Sequence, residues 1–322
     1  KSGLPIKMVM TRDEVFRGTG PTSGSYMTIK VGAKKDGTIT AAEADLRFFA
    51  GAFPGAPVHL GCMCGFTPYD IENVKAIGYD VVTNRPKAIS YRAPGAPIAA
   101  FGIESAIDEL AKKLDIDPLA LREMNAAKEG TRTAYGPTLG VVGFEETLEA
   151  AKNHPQMSEP LGPNQGRGIA SGYWFNVGGE SSASVSVNED GTITVTSGAP
   201  DIGGSRASLC IMAAEIFGVD IDQVRAVIGD TTATAFNRHT GGSRVTFALG
   251  AVVVSASEDC VQQLRERAAK TWDIDVEAVE WENGEAQPAG ENAGKFEPLS
   301  LLELAEKTPM TGGPIGAKKS SN

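Results

Sequence analysis

The sequence has 322 residues, 41% hydrophobic and 22% charged, with a net charge of −10. That is length for a large core and about two domains. The acidic balance argues against nucleic acid as a partner, because phosphate binding needs clustered Lys and Arg; it argues equally against an anionic membrane surface. No apolar run reaches the roughly 18 residues of a spanning helix. Cys62, Cys64, Cys210 and Cys260 complete no zinc or iron–sulfur set. They read as free thiols of a reducing compartment, so the expected location is cytoplasmic.

In chain order, Met27, Ile29 and Val31 alternate toward Lys35-Asp36-Gly37-Thr38-Ile39-Thr40, where Asp-Gly supports the positive φ of a β-hairpin turn. Apolar spacing predicts a helix over 98–114. Asp117-Pro118 reads as a cap and first-turn proline opening a helix through 127. Another short helix is predicted over 144–151. Residues 154–168, rich in Pro, Gly, Asn and Gln, are the linker candidate, dividing the chain into domains 1–155 and 156–322.

The hairpin then recurs. Val185 and Val187 lead into Glu189-Asp190-Gly191-Thr192-Ile193-Thr194. Helices are predicted over 205–217, stopped by Gly218, and over 245–272, with a strand at 224–228 between them. Residues 283–294 read as a surface loop, and 301–306 as a helix capped by Ser300. The Gly-, Lys- and Ser-rich tail, 311–322, reads as mobile or as a loop severed from its continuation. The predicted fold class is α+β: two mixed α/β units, each with a hairpin-containing sheet packed by helices. The two units are built alike, or merely share a common turn.

Four glycine-rich elements carry the candidate chemistry. They are Tyr91-Arg92-Ala93-Pro94-Gly95-Ala96-Pro97, Val177-Gly178-Gly179-Glu180-Ser181-Ser182, Asp201-Ile202-Gly203-Gly204-Ser205-Arg206 and Thr240-Gly241-Gly242-Ser243-Arg244. Glycine lets backbone N–H groups approach a ligand, and helix N-termini favour anions. Ser205 and Ser243 can cap their helices or contact a phosphate. Arg206 and Arg244 add planar, permanently charged donors. Two Gly-Gly-Ser-Arg turns at helix starts in an acidic chain point to a phosphate-bearing organic cofactor; ordinary capping of tight turns is the alternative. Neither G-x-G-x-x-G after a strand nor G-x-x-x-x-G-K-[ST] is present, and no G-x-S-x-G offers a nucleophilic serine. His59, His154 and His239 have no partner at metal-ligand spacing. Asp108 and Glu109 are expected to face water. His239 lies in a surface loop or lines a pocket; Glu180 is an exposed turn residue or a buried acid.

Together these elements resemble the molybdenum-cofactor-binding large subunit of xanthine dehydrogenase/aldehyde oxidase-type hydroxylases. The 91–97 segment looks like the family's aromatic-Arg-Gly-aromatic-Gly loop beside the molybdenum. Glu104, Asp108, Asp117-Pro118 and Arg122-Glu123-Met124-Asn125 are similar to its downstream helices. Residues 201–230 are similar to its second cofactor segment, and 240–244 to its last glycine turn. Residues 7–12 resemble a stretch shortly after its first glycine-rich motif.

The resemblance implies a molybdopterin, often as its cytosine dinucleotide, with FAD and [2Fe–2S] clusters on partner subunits or domains. It implies hydroxylation of an aldehyde or N-heterocycle carbon with water-derived oxygen and a glutamate base. Arg92 would position the active-site loop formed by Tyr91, Arg92, Ala93, Pro94 and Gly95. Gly203, Gly204, Ser205, Arg206, Gly241, Gly242, Ser243 and Arg244 would contact the cofactor. Several positions depart from the pattern. Ala93 stands where carbon monoxide dehydrogenases carry a copper-binding Cys, Pro94 replaces an aromatic, and Gly203-Gly204 replaces Gly-Gln-Gly. The early glycine motif and the late base-bearing motif are not found, so the sequence reads as an internal piece, inactive alone and completed by the remainder of the large subunit. The competing expectation is a non-enzymatic scaffold that keeps the fold.

Overall fold

A computed structural model describes residues 2–176, 178–230 and 232–321; Lys1, Val177, Thr231 and Asn322 lie outside the described residues. The chain divides into two compact units, Lys1–Phe175 and Asn176–Asn322. The sequence places the division at 155/156, inside the Pro/Gly-rich stretch. The structural division comes later because the chain folds back on the first unit after that stretch. Ile169 packs against Leu119, Ala126 and Leu148, and Ser171 N donates to Glu104 Oε2 at 2.7 Å.

In the first unit, α1 (Arg12–Gly18) precedes β1 (Ser25–Ala33), β2 (Ile39–Gly51), α2 (Val58–Cys64), β3 (Asn73–Val82) and α3 (Ala96–Leu114). Strand β2 is central, antiparallel to β1 and parallel to β3. Its 13 residues alternate, burying Ala42, Ala44, Leu46, Phe48 and Ala50 on one face, as the two-residue period of a strand requires. Helix α3 meets that face with Ile103, Ile107 and Ala111, spaced four apart. Helices α4 (Pro118–Met124), α5 (Phe144–Lys152) and α6 (Pro155–Ser158) complete the unit. Asp117 caps α4 through Leu119 N and Ala120 N. The predicted continuation to 127 fails because buried Asn125 turns back, accepting from Ile39 N (2.8 Å) and donating to Gly37 O (3.0 Å).

The second unit repeats the order: β4 (Ser181–Val187), β5 (Ile193–Ser197), α7 (Ser205–Phe217), β6 (Val224–Ile228), then the long helix α8 (Gly250–Trp272). Again the first two strands are antiparallel and the third is parallel to the second. The units are therefore built alike, beyond a shared turn. Both hairpins use the same three-residue connection: Gly37 and Gly191, each at positive φ, follow Asp36 and Asp190, whose carboxylates accept from Thr38 N and Thr192 N. This is a type I turn with a glycine bulge.

The 28 residues Val245–Trp272 are long and apolar enough to cross a membrane by length and composition. Val253, Ala256, Cys260, Leu264 and Ala268, all buried, instead place this helix in the core of the unit's sheet layer. Its first turn, Val245–Leu249, is π-helical rather than the uniform α-helix predicted. Downstream come β7 (Val279–Glu282), β8 (Glu285–Pro288), β9 (Leu299–Ser300), α9 (Leu301–Glu306), α10 (Thr308–Thr311) and β10 (Ile315–Ser321). Two expectations are corrected here. The 283–294 loop starts as a tight hairpin, with Asn283 and Gly284 both at positive φ between paired Glu282 and Glu285. The tail is an edge strand, antiparallel to β4, with Ile315 buried.

Candidate functional site

Strand register decides where the glycine-rich turns lie. In a parallel pair the carboxyl ends share one edge of the sheet, and each following helix starts there. In the first unit Gly51 pairs with Val82 and Phe48 with Ser25, so the connections after β2 and β3 emerge together. In the second unit Ser197 pairs with Ile228 and with Ala183. The turns before β4, after β5 and after β6 therefore gather at the equivalent edge. Open α/β sheets bind ligands at such carboxyl edges.

On the first unit this edge carries the 91–95 loop. Tyr91 and Arg92 are exposed, whereas Pro94, Gly95 and Ala96 are buried. Ala93 (φ 48°) and Gly95 (φ 86°) are both left-handed, which turns the chain sharply into α3. Gly95 is required: a Cβ there would overlap Pro57 O and stand 3.0 Å from Gly61 N. For Ala93, a non-glycine residue, this conformation is strained and must be held by its surroundings.

On the second unit, Gly203 (φ 66°) and Gly204 (φ 83°) open α7, with no neighbouring atom where either Cβ would stand. Gly204, not Ser205, is the N-cap residue, and it contributes no side-chain cap. Ser205 is buried and Arg206 exposed. Asp201 serves this helix end instead: its Oδ1 accepts from Arg206 N (3.1 Å) and from the Ser205 hydroxyl (3.5 Å). In the 240–244 turn, Gly242 and Ser243 are left-handed. A Cβ on Gly241 would press on the His239 ring at 3.1 Å.

Arg244 corrects an expectation. It is buried, and its guanidinium donates to the carbonyls of Gly178 (2.9 Å), Gly179, Glu180 (3.1 Å) and Arg238 (3.3 Å) and to the Ser181 hydroxyl. These donors hold one glycine turn against another; they are not presented to an incoming phosphate. Glu180 is an exposed turn residue, 3.7 Å from Arg238. His239 is exposed as well.

A buried cluster in the first unit was not foreseen. Glu104 accepts from Tyr69 Oη (2.6 Å), Arg122 Nε (2.9 Å) and Ser171 N (2.7 Å). Arg122 also pairs with Asp108 at 2.8 Å, so Asp108 does not simply face water. Burial, then the Glu104 charge, pushes the Tyr69 phenol above its ordinary range. All four cysteines are free. Burial pushes the Cys64 thiol up to about 11 and Cys260 to about 12, so neither supplies a thiolate near neutral pH.

The residues fit an anionic organic cofactor at defined points. The left-handed pair Gly203-Gly204 leaves its backbone open at the start of a 13-residue helix, and the exposed Arg206, 3.7 Å from the Asp201 carboxylate, places a guanidinium beside it. Arg92 offers a second exposed guanidinium on the other unit's edge.

Comparison with known proteins gives the family. Two family models, each described as a molybdopterin cofactor-binding domain, match residues 1–126 and 142–320. A putative xanthine dehydrogenase molybdenum-binding subunit of Escherichia coli (strain K12) is 30% identical over 274 residues, 79% of this chain and 36% of its own. An aldehyde oxidoreductase of Megalodesulfovibrio gigas is 29% identical over 278 residues, 81% of this chain and 31% of its own. The chain thus spans about a third of the length of these relatives. Among solved structures, quinoline 2-oxidoreductase from Pseudomonas putida 86 superposes with a TM-score of 0.77 at 19% identity, covering 98% of this chain and 44% of that one. The fold and two matched domains agree: the chain belongs to the molybdopterin cofactor-binding family of xanthine dehydrogenase- and aldehyde oxidoreductase-type molybdenum-binding subunits.

Proposed function

We propose that the two units are cofactor-holding modules of a molybdenum hydroxylase large subunit, acting on an aldehyde or N-heterocycle carbon with water-derived oxygen. The observation that carries this is the open Gly203-Gly204 turn with exposed Arg206 at the carboxyl edge of a parallel strand pair. When bound, a molybdopterin or its cytosine dinucleotide supplies the two-electron redox chemistry. This chain supplies the hold on it. Gly203 and Gly204 let backbone amides approach, Arg206 neutralises charge, and Arg244 acts indirectly by fixing the 178–181 turn. Arg92 positions the active-site loop, residues 91–95, in this reading. Electrons leave through FAD and [2Fe–2S] partners, and the setting is the reducing cytoplasm, in keeping with four free thiols. In this reading the 322 residues alone turn over no substrate.

The scaffold reading draws support from Asp201, whose carboxylate already occupies part of the α7 N-terminus. Metal and pterin analysis separates the two. Arg206→Ala in the intact protein should lower molybdenum content several-fold while the thermal midpoint stays within about 2 °C, as expected for an exposed cation. An intact wild-type protein with neither molybdenum nor pterin would sink the enzymatic reading.

A further inference from the structure

The strain at Ala93 and the tight seat of Gly95 ask what keeps the 91–95 loop in place. Gly95 rests on Pro57 O, and the packing is mutual, since a Cβ on Gly61 would stand 3.2 Å from Gly95 O. The loop is therefore only as well placed as the 55–57 turn beneath it. That turn has no side-chain cap of its own: Pro57, the N-cap of α2, makes no side-chain capping hydrogen bond. Its two preceding amides are held from elsewhere. Asp80, near the end of β3, accepts from Gly55 N through Oδ2 (2.6 Å) and from Ala56 N through Oδ1 (3.1 Å). Each carboxylate oxygen has one amide, a charge-assisted, two-point grip.

We propose that Asp80 is a positioning residue for the 91–95 loop, acting through the 55–57 turn. The chain of contact is continuous: the Asp80 carboxylate, the Gly55 and Ala56 amides, Pro57 O, Gly95, then the left-handed Ala93 that throws Arg92 outward. The register explains why this residue can serve. Asp80 pairs with Phe48, three residues before the end of β2, so its side chain reaches the turn that leaves the same sheet edge. The loop's importance to the reaction rests on the function proposed above; its dependence on Asp80 does not.

Hydrogen exchange on this 322-residue chain tests the coupling without any cofactor. Three amides report on it: Gly61 N bonded to Pro57 O, Ala96 N to Ala93 O and Ala99 N to Gly95 O. In Asp80→Ala these should exchange about tenfold faster, as local opening follows loss of a charge-assisted bond. In Asp80→Asn, where the amide keeps one acceptor, the increase should be about threefold. Amides of α7, in the other unit, should not change. Wild-type exchange at Ala96 and Ala99 in both variants overturns the proposal. So does faster exchange throughout both variants, because Asp80 would then support the fold rather than the loop. In the intact, molybdenum-loaded protein, Asp80→Ala should lower kcat about tenfold at unchanged molybdenum content. An undiminished kcat overturns the link to catalysis, whereas absence of molybdenum from the wild type strikes the proposed function and leaves the exchange result standing.

Discussion

A guanidinium can serve a site by facing the ligand or by building the wall that faces it. Arg206 and Arg244 stand in the same Gly-Gly-Ser-Arg context, yet one is exposed and the other has 2% of its surface accessible. The difference is tertiary. Arg244 finds three carbonyls and a hydroxyl because the 178–181 turn passes over it. Removing it takes a buried guanidinium and all of these bonds from the turn at once, so Arg244→Ala should destabilise the second unit by about 2–4 kcal/mol. Arg244→Lys should recover less than half, because an ammonium cannot reach acceptors in the planar fork. Urea titration checks both. The same limit hid the Glu104–Arg122 pair. Both residues lie in predicted helices, but their meeting at 2.9 Å depends on the α3–α4 angle, which no local pattern encodes. Glycine positions were far more legible, since Gly95, Gly203 and Gly204 each adopt the positive φ that their residue type permits.

At the scale of elements, what local chemistry specifies was readable. Asp117-Pro118 and Ser300 cap their helices as predicted, Glu303 completing a capping box with Ser300, and Gly218 stops α7. The Asn283-Gly284 turn carried the signal for a two-residue hairpin but was absorbed into a presumed loop. Strand β10 had no such signal: its partner β4 is more than 120 residues away. The paired hairpin turns predict a pH dependence. The Thr38 amide holds the Asp36 carboxyl below its usual 3.8, and the Thr192 hydroxyl, then its amide, does the same for Asp190. A carboxyl lowered in the folded state stabilises fully above its unfolded value and loses that contribution as pH falls through the folded one. Both turns should therefore weaken as pH falls below the usual carboxyl value of 3.8. The double substitution Asp36→Asn with Asp190→Asn should flatten the acid limb of a plot of urea midpoint against pH. An unchanged slope would show that the turns do not govern it.

For the whole molecule, the hairpin–helix–strand–helix order runs through both units, and each holds its own core. That makes the limits of the first unit a physical question. A boundary at 155 follows composition; a boundary at 175 follows contacts. The segment between them supplies Ser171 N, one of three donors to the buried Glu104, and Ile169, which covers Leu119 and Leu148. A chain of residues 1–155 would leave Glu104 with Arg122 and Tyr69 but short of one charge-assisted bond, and would uncover part of a satellite core. The combined cost is about 2–4 kcal/mol. Residues 1–175 should therefore unfold cooperatively at a urea midpoint clearly above that of residues 1–155. The control is Ile169→Ala with Ser171→Pro in the longer chain, which removes the contact and the amide without shortening the unit. If that variant matches the full 1–175 chain, the later boundary owes nothing to these two residues.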